Sequence, residues 1–132
     1  MRYGYILFIV LAVSLMSACS GSTVPTSSLT IRDSATDALL STSRTQGTIN
    51  LSVGNTRQIK VLHTYVNKNN VTRTDDVTQF VIFKRDSGTS AQISQLGTIT
   101  GLAVGTTVLR AKYTSGQFGT SDNCRITIVV AP

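Results

Sequence analysis

An all-β sandwich of about seven strands is the fold class this sequence predicts, and three observations predict it. Short segments rich in Val, Ile, Thr and Tyr recur roughly every ten residues. Turns carrying glycine or asparagine separate them, and beyond the N-terminal leader a period of two prevails where a helix would show 3.6.

The first element is not part of that fold. Residues 1–18 read as an export leader, because Arg2 precedes an apolar run from Ile6 to Leu15 and small residues follow. A hydrocarbon core needs ~20 apolar residues, so the run is too short to span one. Met16, Ser17, Ala18 and Cys19 resemble a lipobox, with Met16 where leucine is usual. The resemblance implies diacylglyceryl transfer to the Cys19 thiol, cleavage before it, and acylation of the new amine by a chain such as palmitate. Two or three such chains, each CH₂ contributing roughly 0.8 kcal/mol, hold a domain stably on a bilayer. Membrane lipid is thus the first partner expected, through Cys19. Ser20 is compatible with outer-membrane sorting in a cell that has two membranes.

Residues 19–28 form the lipidated cysteine and a small, polar tether containing Pro25, too poor in apolar residues to have a core. The sandwich domain is expected over 29–132. Leu29 to Ile31 is a short strand; Ile49 to Val53 alternates and stops at Gly54-Asn55; Arg57 to Tyr65 places Ile59, Val61, His63 and Tyr65 on one face. Val77 to Lys84 is apolar on both faces, with Val81 and Phe83 inward and Phe80 and Ile82 opposed to them. Ala91 to Ser94, Thr98 to Thr100, Thr106 to Tyr113 and Arg125 to Val130 complete the set, a polar loop with Gly116 and Gly119 lying before the last. Only residues 33–46 lack strand character. Ala38-Leu39-Leu40 permits a helical turn there, and a long ordered loop or strand-switching insert fits equally.

Without Arg2 the chain keeps eleven Lys and Arg against six acids, all aspartate. The basic surplus favours phosphate-rich headgroups or anionic glycans as envelope partners. Arg73, Lys84, Arg85, Arg110 and Lys112 would make a basic surface, but no aromatic residues are interleaved as stacking platforms, and export removes the chain from intracellular nucleic acid. No nucleic-acid partner is therefore expected.

Candidate chemistry is sparse. Cys124 shares a face with Ile126, Ile128 and Val130 and is expected buried, as a small hydrophobe. His63, the only histidine, falls on an apolar face and is expected partly buried rather than catalytic. Asp75-Asp76, with Asp86 or Asp122, would offer oxygen ligands to calcium, yet aspartates at strand ends serve chiefly as turn formers. No nucleophile elbow, phosphate-binding glycine loop or paired cysteine spacing occurs. Neither a metal, a cofactor nor an enzymatic activity is expected.

Three pieces carry a resemblance: Ser52 to Ile59; Asp76-Val77-Thr78 with Val81-Ile82-Phe83; and Thr98 to Ala111, containing Thr100-Gly101-Leu102-Ala103-Val104-Gly105-Thr106. In order and spacing they are similar to a group 2 bacterial immunoglobulin-like domain over about residues 48–130. The resemblance implies an immunoglobulin-like sandwich in which Gly101 and Gly105 bracket a tight crossing and Leu102 plugs the core. It also implies that Ala111 leaves room for a bulky residue of the facing sheet, Phe83 standing where the family usually has tryptophan. Such domains act as spacers or contact surfaces, so the expected function is a non-enzymatic, lipid-anchored envelope module binding protein or glycan. The alternative is a surface adhesion module contacting host or neighbouring-cell ligands. The candidate contact surface is Phe80 and Ile82 with a basic rim of Lys84 and Arg85; residues 33–46 are the segment that would otherwise cover the apolar pair.

Overall fold

The computed structural model describes residues 27–116 and 121–132. The leader, Cys19 and the tether as far as residue 26 lie outside the described residues, as do residues 117–120 of the polar loop. The described chain forms two sheets packed face to face, an all-β sandwich. No helix among the described residues is long and apolar enough to cross a membrane.

One sheet is organised by a long strand, β4 (Thr56–Val66). Its alternation buries Ile59, Val61 and His63 and turns Lys60, Leu62 and Thr64 away from the core. Along one edge it pairs with β1 (Ser27–Asp33), and β1 pairs with β2 (Leu39–Thr42). Its other edge is shared, β5 (Thr72–Asp76) binding its C-terminal half and β8 (Thr98–Gly101) its N-terminal end. β7 (Ala91–Ile93) closes the sheet against β8. The second sheet has the order β3 (Gly47–Ser52), β10 (Ser121–Ala131), β9 (Gly105–Thr114), β6 (Ile82–Ser87), with β3 parallel to β10.

The core lies where the two inner faces meet. Leu29, Ile31, Ile59, Val61 and Ile99 come from the first sheet; Ile49, Leu109, Ile126, Ile128 and Val130 come from the second. A buried hydroxyl joins the layers, Thr107 Oγ1 on β9 accepting the Ala91 N–H at 3.0 Å. Cys124 is buried as expected, and burial pushes its thiol pKa up.

Several sequence expectations need correction. Among the described residues there are ten strands rather than about seven, and the first of them opens at Ser27. Ala38-Leu39-Leu40 form no helical turn, since β2 begins at Leu39; of the alternatives the strand-switching insert holds, the chain crossing after β2 from the first sheet to β3 in the second. The crossing is so tight that a Cβ on Gly47 would sit 1.5 Å from the Leu40 carbonyl oxygen. The run from Val77 to Lys84 is interrupted by a 3₁₀ turn at Thr78–Phe80, where Asp76 Oδ1 accepts the Thr78 N–H at 3.0 Å. Phe83 is half-buried and stands opposite Ala111 in the same sheet, not across the core from it. Leu102 is exposed and plugs nothing. Gly105, at φ +146°, does make the close crossing, since a Cβ there would meet Ser90 Oγ at 2.2 Å.

Candidate functional site

Strand pairing decides which charges share a face. Opposed residues on neighbouring antiparallel strands point the same way, so β9–β10 and β6–β9 registers build rows across the second sheet. One row is Lys84, Arg110 and Arg125; the next is Ile82, Lys112 and Asn123. Both lie on the outer face, because Leu109, Ala111, Cys124 and Ile126 between them are buried. Arg44, in the turn between β2 and β3, joins Arg110 and Arg125 around an open groove of about 320 Å³ whose other lining is hydroxyl and amide.

Asp86 is the carboxylate in this cluster. Its Oδ2 meets Arg110 Nη2 at 2.9 Å, Arg110 Nε at 3.0 Å and Arg125 Nε at 3.0 Å. One oxygen thereby holds two guanidinium groups in place while neutralising one charge. Lys84, Arg110, Lys112 and Arg125 share the outer face with Asp86, and Arg44 borders it from the β2–β3 turn, where it also shares a hollow with Asp122. Elsewhere cations are matched more closely: Asp33 binds Arg57 at 2.6 Å, and Asp37 binds Lys60 at 2.7 Å and Arg32 at 3.6 Å.

Phe80 ends the 3₁₀ turn and is 71% exposed; Ile82 opens β6 and is 66% exposed. Residues 33–46 do not cover them. Lys84 shares the outer face with Ile82, but Arg85 is opposite the buried Leu109 and leaves the edge strand on the other side, ahead of a bulge. The basic neighbours of Ile82 are thus Lys84 and Lys112. Arg44, Arg110 and Arg125, which sequence reasoning did not assemble into a site, are brought together only by the sheet register.

The other expectations resolve structurally. His63 is buried, stacks on Tyr65 with centroids 5.2 Å apart and meets Tyr113 at 4.8 Å. Its Nε2 makes no hydrogen bond among the described residues; Asp122 Oδ2 is 3.4 Å away. Ser27 Oγ donates to that same oxygen at 2.6 Å. Hydroxyl and imidazole both address one carboxylate oxygen, so the trio does not place a base on the serine. The aspartates weighed as calcium ligands are dispersed, and no group of three potential metal ligands occurs among the described residues.

Asp33 yields a pH prediction. The Arg57 guanidinium, aided by the Thr36 and Ala35 N–H groups, holds its carboxyl down to about 2 from 3.8. A depressed folded-state value stabilises above the unfolded value and is lost as pH falls through the folded one. The thermal midpoint should therefore fall between pH 3.8 and about 2 through this group. Asp33→Asn should be less stable at neutral pH and lose part of that slope; an unchanged slope would contradict the assignment.

Comparison with known proteins finds no matching family model and no matching curated protein.

Proposed function

We propose that the chain is a non-enzymatic envelope lipoprotein, anchored through acylated Cys19, whose sandwich is a binding or structural module of bacterial immunoglobulin-like type. The observation carrying this reading is the concentration of cations on the outer face of the second sheet. That face suits an anionic partner: four cations with Arg44 at their margin focus a positive field, and Asp86 pre-orients two of them. The lipobox supplies the address, and the similarity of residues 48–130 to group 2 domains supports contact rather than turnover. Outer-membrane placement follows from the leader, and a surface adhesion module is the alternative that the family likeness offers.

Site-specific photocrosslinking in cells tests it. A photoreactive residue in place of Lys84 should yield adducts with an anionic envelope component. The same residue in place of Asn50, exposed at the uncharged end of the same sheet, should not. Identical adducts from both positions, or none from Lys84, would defeat the reading.

A further inference from the structure

The cationic face lies at one end of the sandwich, and that end is where the tether arrives. Ser27 opens β1 and is bonded to Asp122; the next residue, Asn123, begins the row that runs through Lys112 to Ile82. Lys84, Arg110 and Arg125 form the second row from that end. Further along, the outer face carries Val108 and Thr127, then Thr106 and Val129, without charge. The distal turns also expose apolar residues, Leu102 at 45% and Val104 at 61%, but have no cation beside them.

From Cys19 to Ser27 the chain reaches at most about 30 Å fully extended. On the reading that Cys19 is acylated, every residue near Ser27 is held within that distance of the headgroups. We infer that Phe80, Ile82 and the adjoining cations form a second membrane contact, which docks the domain on the anionic leaflet carrying its own anchor. Two features support this occupant. Exposed Phe80 and Ile82 match the shallow apolar insertion of interfacial proteins, and the basic rows match lipid phosphates a few ångströms above. The groove at Arg44, Arg110 and Arg125 has guanidinium, hydroxyl and amide groups for a phosphate and no aromatic platform for a sugar ring.

The absence of tryptophan from the chain provides a clean reporter. Full-length protein carrying Phe80→Trp is purified from membranes, its acylation confirmed by intact mass, and reconstituted in phosphatidylglycerol vesicles with brominated acyl chains. Its emission should shift to the blue and be quenched about twofold or more, the depth expected of interfacial residues. Val104→Trp, at the distal end, should stay unquenched. Phosphatidylcholine vesicles should abolish the Phe80→Trp effect, as should adding Lys84→Glu and Lys112→Glu, which reverse two exposed charges and weaken docking by on the order of tenfold or more. Equal quenching at both positions, no quenching at either, or a Phe80→Trp response to a soluble acidic polysaccharide instead of to vesicles would overturn the membrane contact. A mass without acyl chains would overturn the anchor, and the orientation with it.

Discussion

Cys19→Ala is expected to leave the protein without lipid and to remove its mature form from the membrane fraction. The thiol is the acceptor of the diacylglyceryl group implied by Met16-Ser17-Ala18-Cys19, and alanine offers no nucleophile for it. Cleavage follows lipidation, so the variant should accumulate as precursor or appear as a detached product. The loss is large because each CH₂ contributes roughly 0.8 kcal/mol and two or three chains disappear together. Metabolic labelling with a fatty-acid analogue reads the result. Equal label in variant and parent would refute the lipobox assignment.

Ile128→Ala is expected to unfold much of the population. Ile128 is fully buried in β10, which is flanked by β3 and β9 and packs against β1 of the facing sheet, so its side chain is enclosed from three directions. Removing a buried isoleucine to alanine costs about 2–5 kcal/mol through lost transfer energy and the cavity left behind. A domain of this size has a total stability of about 5–15 kcal/mol, so the loss is a large share of it. Phe80→Ala, at an exposed side chain, should shift stability by no more than about 0.5 kcal/mol. Denaturant titration of both variants makes the comparison. Similar midpoints would mean that the inward face of β10 has been misassigned.

These two outcomes rest on features of different legibility. β4, β9 and the part of β10 from Arg125 were readable because each is one-sided over many residues; Ser121 to Cys124, read as the end of a polar loop, belong to β10 as well. β5 was not: Thr72 to Asp76 is exposed throughout and forms a strand through its backbone bonds to β4, which leave no apolar trace. β2 was missed because Leu39 to Thr42 is short and buries chiefly Ser41. The alternation from Val77 to Lys84 misled, since the 3₁₀ turn buries Val77 and Thr78 in succession and exposes Gln79 and Phe80 in succession, which no period of two can express.

The candidate surface divides in the same way. Phe80, Ile82 and Lys84 are near in sequence and could be grouped from it. Arg44, Arg110 and Arg125 are far apart in the chain, and only the pairing of β9 with β10 and the crossing after β2 make them neighbours. Asp86 was weighed as a calcium ligand, but its oxygen is committed to two arginines. A basic surplus was legible; its concentration at the end nearest the tether was not.

The most direct test of an anchored binding module is the intact mass of the mature protein extracted from bacterial membranes. That mass should match a chain beginning at Cys19, heavier than its sequence by a diacylglyceryl group, with or without one further acyl chain. An unmodified chain, or one beginning at any other residue, would contradict it.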